Sequence, residues 1–210
     1  MILDAATEKY LYELLPAGDA KTREMEAYGH EHNFPIVGPL VGHFLFEMAK
    51  TIRAKRVLEL GSGYGYSAYW FAKAVGKDGK VICTDLEEKN LFLSEKYFAD
   101  DNVAAGVVRY EVGDALQILD RLEGPFDIIF MDIKKNQYSE AFEKSFPLLR
   151  IGGLFMADNV LRKGMVAEEN PDELTQAMKH FNKLIFSHPK LVSSINPIRD
   201  GVLVSLKISN

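Results

Sequence analysis

Acidic side chains recur in this 210-residue sequence where short apolar runs stop. Glu59 closes the run that starts at Val57, and Asp85 ends Val81-Ile82-Cys83-Thr84. Asp114 follows Val112-Gly113, Asp132 ends Ile128-Ile129-Phe130-Met131, and Asp158-Asn159 ends Leu154-Phe155-Met156-Ala157. Each has a plain reading of its own. Asp85 and Asp114 could cap helices, Asp158-Asn159 could be a turn pair, and Lys135, beside Lys134, could be a solvated loop lysine. Their recurrence along one edge favours a site instead. Carboxylates gathered together repel unless a cation sits among them.

The first of these acids leads into Leu60-Gly61-Ser62-Gly63-Tyr64-Gly65-Tyr66-Ser67. Glycine at alternate positions lets a chain turn through positive φ and lets a ligand approach the backbone. The pattern is not a dinucleotide fingerprint, because Tyr66 stands where that motif needs a third glycine. It is not a P-loop, because no Gly-Lys-Ser/Thr follows. Asp85 lies 20 residues after Gly65 and is placed to accept hydrogen bonds from a ribose diol. The expected ligand is therefore a nucleoside without a pyrophosphate.

Alternating strands and helices must position these residues. Strands are expected over 56–60, 80–84, 107–112, 126–131 and 152–157, with helices near 64–75, 88–99, 114–122 and 138–149 between them. Asp78-Gly79, Gly113-Asp114, Gly124-Pro125 and Gly152-Gly153 punctuate the pattern. Continuous apolar strands fit a parallel sheet buried on both faces. After a helix near 171–187, strands 190–196 and 202–208 are joined by a short loop and read as an antiparallel hairpin. The whole predicts an α/β, doubly wound, mostly parallel seven-stranded sheet, with ligands outside the carboxyl ends of its strands.

Three helices precede the sheet. The first, near 4–15, has apolar spacing at Ala6, Tyr10, Leu11, Leu14 and Leu15. The second runs from an Asp19 cap to about Asn33, with Met25 and Tyr28 on its apolar side. The third spans 40–52, with Leu40, Phe44, Leu45 and Met48 inward. One domain is expected, a helical cap over 1–53 on a core over 54–210.

Composition limits the partners. Thirty acidic residues against 25 basic ones give a net charge of −5, which disfavours a general nucleic-acid binder. Neither DNA nor a membrane is an expected partner, since no segment approaches the ~20 apolar residues of a spanning helix. The lone cysteine, Cys83, reads as a buried inert thiol. With no signal-peptide pattern at Met1-Ile2-Leu3-Asp4, a cytoplasmic location is expected.

The segments VLELGSGYGYS (57–67), VGDA (112–115), FDIIFMDIKKNQY (126–138), GGLFMADNVLRKGMV (152–166) and NPIRDGVLVSLK (196–207) resemble the S-adenosylmethionine (AdoMet)-dependent O-methyltransferases of the catechol and caffeoyl-CoA type. Asp-x-x-Lys-x-x-Tyr followed by Asp-Asn-Val-Leu-x-x-Gly is specific to the metal-dependent branch. The resemblance implies that Val37, Glu59, Gly61, Gly63 and Ser67 surround the methionine part of AdoMet. It places Asp85 at the ribose, Asp114 and Ala115 at the adenine, and Leu86 and Asp132 beside the cofactor. It gives Asp132, Asp158 and Asn159 a divalent cation, with Mg²⁺ first choice, and makes Lys135 the general base. It also implies a homodimer. The residue types suit this chemistry. Oxygen donors with open positions favour a hard ion over zinc, a vicinal diol can fill two such positions, and coordination makes a hydroxyl more acidic. A lysine held near a cation can take that proton.

Lys134 stands where the family often has Asp, and Arg162-Lys163 where Trp often follows. With Arg199 these predict either a basic entrance for an anionic acceptor, such as a CoA ester or RNA phosphate, or an ordinary charged rim. MEAYGHEHNFPI (25–36) and HFNKLIFSHPKL (180–191) resemble the branch that methylates hydroxyuridine in tRNA, against which the acidity counts. His30 and His32 precede the Pro35 break as candidate substrate contacts or surface histidines. Phe181, Leu184 and Ile185 read as core or dimer contacts. The leading expectation is O-methylation of a small metal-chelated diol, phenol or CoA ester. The alternatives are tRNA 5-hydroxyuridine methylation, a non-catalytic AdoMet-binding protein and, more weakly, a dehydrogenase.

Overall fold

A computed structural model of the chain describes residues 2–99 and 103–210. Three helices, α1 (Ala5–Leu14), α2 (Ala20–Glu31) and α3 (Gly38–Thr51), lead into β1 (Arg56–Leu60). Then follow α4 (Tyr66–Val75), β2 (Lys80–Asp85), α5 (Glu88–Phe98), β3 (Val108–Val112), α6 (Ala115–Leu119), β4 (Phe126–Met131), α7 (Tyr138–Ser145) and β5 (Leu149–Ala157). The chain ends with α8 (Glu173–Phe186), β6 (Leu191–Asn196) and β7 (Val202–Lys207). The seven strands form one sheet in the order β3-β2-β1-β4-β5-β7-β6. β1 to β5 are parallel, β7 is antiparallel to β5, and β6 to β7, so the expected α/β, doubly wound fold is present.

Alternation along the strands splits the core in two. Val57, Ile128, Phe130 and Met156 face α3 and α4, where Leu45, Tyr69 and Phe71 complete one buried layer. Leu58, Ile129, Met131 and Phe155 face the other way, toward Phe142 of α7 and Phe181 of α8. Phe181 and Ile185 are fully buried there, and Leu184 packs against the same cluster, so these three are core residues.

Three expectations shift. α7 stops at Ser145 rather than 149, because Pro147 cannot continue a helix and Phe146–Leu148 forms a 3₁₀ turn. β5 starts at Leu149, not 152. Gly152-Gly153, read as punctuation, lies inside the strand, and a register shift between Phe126 and Ile128 absorbs it. α3 buries Val41 and Ala49 beside the expected Leu45, while the expected Phe44 and Met48 pack half-buried against the same core and Leu40 is half-buried. Gly42 turns toward α4, where any Cβ would overlap the Trp70 indole. α1 forms with Asp4 as its cap, but it buries no residue, and Tyr10 and Leu14 are exposed.

One carboxylate fastens the amino ends of three strands. Asp127 Oδ2 accepts from the Lys55 and Arg56 amides, both at 2.7 Å, and Oδ1 accepts from Arg150 Nε at 2.6 Å. Burial opposes its charge, but the Arg150 hydrogen bond and the two amides outweigh burial and hold its pKa low. A lowered carboxylate pKa stabilises the fold above the unfolded value, near 4, and the benefit fades as pH falls through the folded value. Asp127→Ala is expected to cost about 2 kcal/mol at pH 7 in urea unfolding. The gap to wild type should shrink in acid.

Candidate functional site

The carboxyl end of β1 runs into a turn where Gly61, Gly63 and Gly65 have φ of 85°, 53° and 91°. The Gly61 and Ser62 amides donate to the Thr84 carbonyl at 3.0 and 2.8 Å, tying the turn to β2. A Cβ on Gly61 would overlap the Asp132 carbonyl, so the turn and the loop after β4 meet backbone to backbone. Gly65 then caps α4, which presents Ser67. The Ser67 hydroxyl donates to Glu59 Oε1. Glu59 is fully buried, and burial pushes its carboxyl up to about 7 against the hydrogen bonds it receives. Cys83 is buried beside it, with Sγ 3.8 Å from Glu59 Oε2, and burial pushes the thiol up, as an inert cysteine requires.

Asp85 serves both readings of its position. Oδ1 accepts from the Glu87 amide and Asn90 Nδ2, both at 2.9 Å, while Oδ2 accepts from the Gly63 amide at 3.0 Å. It therefore orders the glycine turn as well as the start of α5. Asp114 is a true helix cap, accepting from Leu116 N at 2.9 Å. Asp85, Leu86, Asp114, Ala115, Asp132 and Lys134 line one cavity of about 400 Å³. A recess of about 30 Å³ is lined by Val37, Gly61, Gly63, Ser67 and Asp132. Phe34 and Pro35 line both spaces, a role that no local pattern in the chain signals.

Asp132 follows β4, while Asp158 and Asn159 follow β5. Asn159 adopts φ of 58°, a turn conformation that asparagine tolerates. Lys135 starts a 3₁₀ turn, and its Nζ donates to Asp132 Oδ1 at 2.8 Å, Asn159 Oδ1 at 2.7 Å and the Tyr138 hydroxyl at 2.8 Å. Tyr138 is fully buried and donates to the Asp158 carbonyl at 2.9 Å. Asp158 is 4% exposed, and burial, then the Asp132 charge, raises its pKa. Its Oδ2 accepts from Asn159 Nδ2 at 3.2 Å, but its Oδ1 is buried without a partner. A buried orphan carboxylate oxygen is costly and calls for a cation or donor. No three His, Cys, Asp or Glu side chains cluster to hold a metal among the described residues. The candidate set combines two carboxylates with the Asn159 amide oxygen, and hard oxygens of this kind fit Mg²⁺.

Outside this edge lie two further cavities, of about 600 and 520 Å³. Both are lined by Tyr12, Ile36, Asp158, Asn159 and Arg199, so α1 and the β6–β7 turn form walls of the space above the metal-type donors. Arg199 Nη1 donates to the Ile36 carbonyl at 2.8 Å and rests against Gly38. The basic entrance is narrower than expected. Lys163 and Arg199 line the cavities, but Arg162 turns away to Asp172 at 3.1 Å and Thr175 at 3.3 Å. Lys134 belongs to the cavity at Asp85. His30 lines the cavity of about 520 Å³, whereas His32 stacks on Tyr28 with centroids 4.0 Å apart.

Residues 20–208 match the model of a family described as O-methyltransferase. The chain belongs to the O-methyltransferase family. A catechol O-methyltransferase of Niastella koreensis is 36% identical over 76% of this chain and 74% of its own length. A caffeoyl-CoA O-methyltransferase of Eucalyptus globulus is 29% identical over 96% and 86%. Among solved structures, a Streptomyces achromogenes O-methyltransferase of tomaymycin synthesis, in complex with SAM (AdoMet), superposes with a TM-score of 0.84. It is 26% identical and covers 97% of this chain and 96% of its own. An O-methyltransferase of Bacillus cereus in complex with SAH gives 0.81 at 26% identity, covering 96% and 97%. The protein is thus an AdoMet-dependent O-methyltransferase. No helix among its described residues is long and apolar enough to cross a membrane.

The Gly61–Asp132 approach can be tested directly. Gly61→Ala forces a side chain into positive φ and into the Asp132 carbonyl. The strained backbone alone costs about 1–3 kcal/mol. Calorimetry is expected to show lost AdoMet binding at concentrations that saturate wild type, together with a lower melting temperature.

Proposed function

We propose that this O-methyltransferase methylates a hydroxyl of a small acceptor with neighbouring oxygens, a diol, phenol or CoA ester, held at a divalent cation. The carrying observation is the orphan Asp158 Oδ1, in a cavity also lined by Asn159 and Asp132, with Lys135 hydrogen-bonded to both of these. Asp132, Asp158 and Asn159 would hold the ion. Once bound, Mg²⁺ supplies a charge that makes a hydroxyl on it more acidic.

The chain's own residues supply position and proton transfer. Ser67 lines the small recess and Glu59 lies buried behind it, so the two would receive the methionine ammonium, and Asp85 would receive the ribose hydroxyls. Asp114 and Ala115 line the adenine side. Lys135 lies among the acceptor-side oxygens, within reach of a hydroxyl proton. The methyl group passes from the sulfonium to the acceptor oxygen, and alignment of the two can account for several kcal/mol of the barrier. Three observations favour a small acceptor over tRNA. The relatives are named for catechol and caffeoyl-CoA, Arg162 is engaged by Asp172, and the 180–191 segment that resembles the tRNA branch gives Phe181 and Ile185 to the core.

Purified protein with AdoMet is expected to methylate members of a panel of diols and CoA esters, but not hypomodified tRNA, and a chelator should abolish the reaction. Methylation of tRNA alone would overturn the choice of acceptor. Lys135→Ala is expected to lower kcat about 100-fold or more, in the range of a lost acid–base group, with AdoMet affinity little changed. Glu59 gives a pH signature. Its raised pKa means that the free protein holds a proton there below about 7, and pairing with an ammonium would release that proton. AdoMet affinity should therefore rise as pH increases from about 5.5 to 7. Glu59→Gln should weaken binding and remove that slope in calorimetry.

A further inference from the structure

The candidate cation site already contains a positive charge of the protein's own. All three N–H donors of the Lys135 ammonium are used, on Asp132 Oδ1, Asn159 Oδ1 and the Tyr138 hydroxyl. Two of those acceptors are oxygens that the proposed function gives to the divalent ion. The lysine side chain is 15% exposed, and its Nζ also lies 4.8 Å from the Tyr138 ring centre. This is a built contact, not a surface lysine swinging past. It is also an incomplete one, because Asp158 Oδ1 receives nothing from it.

From this geometry we infer that Lys135 is a tethered counter-ion, occupying the ion's place in the metal-free protein and competing with divalent cations for Asp132 and Asn159. The inference rests on the metal reading of the proposed function and adds to it. An ammonium and a divalent ion on the same oxygens compete, because like charges at that separation repel. Lys135 must therefore leave Asp132 and Asn159 as an ion enters. Tyr138 is the one anchor of the three that is not an ion donor. Its hydroxyl is held by the Asp158 carbonyl, so it offers the ammonium a fixed point on which to withdraw. The same side chain that neutralises Asp132 without metal thus weakens the protein's hold on metal.

The test uses Mn²⁺ alone, without AdoMet or acceptor, on the full chain. Free and bound ion are separated by electron paramagnetic resonance, and melting is followed in chelator and in saturating Mn²⁺. Lys135→Met and Lys135→Gln both remove the charge at similar length. Both are expected to bind Mn²⁺ at least tenfold more tightly than wild type. In chelator both should melt several degrees lower, and saturating Mn²⁺ should close that gap. Unchanged or weaker Mn²⁺ binding in a folded variant would overturn the inference. So would variants that fold neither in chelator nor in excess Mn²⁺, since a bound ion should replace the lost ammonium. If wild type and both variants bind AdoMet but no Mn²⁺, the metal reading itself fails, and that result is distinct from the other two.

Discussion

Desolvated negative charge at one edge of the sheet is the constraint that the rest of this structure answers. Glu59, Asp132 and Asp158 stand at or just past the carboxyl ends of β1, β4 and β5, three neighbouring strands. Glu59 and Asp158 are buried almost completely, and burial drives both carboxyls toward their neutral forms. Each is given a local partner, Ser67 for Glu59 and Asn159 for Asp158, neither of which carries charge. Among the described residues, only Lys135 brings a positive charge into the hydrogen-bonded group at Asp132 and Asn159. The remaining deficit is what a cationic donor molecule and a metal ion are suited to fill.

Topology explains why the acids meet. The strand order reverses between β1 and β4, and in open α/β sheets the crevice at such a switch is where ligands bind. The loops leaving these strands diverge to opposite faces. The β1 turn carries α4 to one side, while the loop after β4 carries Lys135 and Tyr138 to the other. Gly61 lets them touch at the root before they separate. The glycine turn and the Asp132 loop consequently share one backbone wall.

Most of the edge was legible in sequence because it obeys local rules. An acid after an apolar run and glycines at alternate positions keep their meaning without tertiary information, whereas Lys135 alone reads as a loop lysine and gained its role only through the family resemblance. Asp85 and Asp114 show the limit of choosing between readings, since both are local backbone partners and cavity residues at once. What escaped was set by distant contacts. Arg199 reaches the Ile36 carbonyl across 163 positions, and Phe34 and Tyr12 acquire meaning only when the amino-terminal helices fold back. Arg162 misled because its partner, Asp172, lies beyond the motif and acts first as the cap of α8. The β5 start was hidden by a glycine pair that signals a break but is accommodated as a bulge.

α1 walls the cavities beside Asp158 and Asn159 yet buries none of its own residues. A wall attached so lightly can be rewritten with little penalty to folding, while the donor side is locked by glycines that admit no side chain. In a lineage of such enzymes, drift should therefore concentrate in the amino-terminal helix, leaving the methyl donor fixed as acceptors change. Diversity of substrates would then be a property of how this helix is attached, rather than of the catalytic edge.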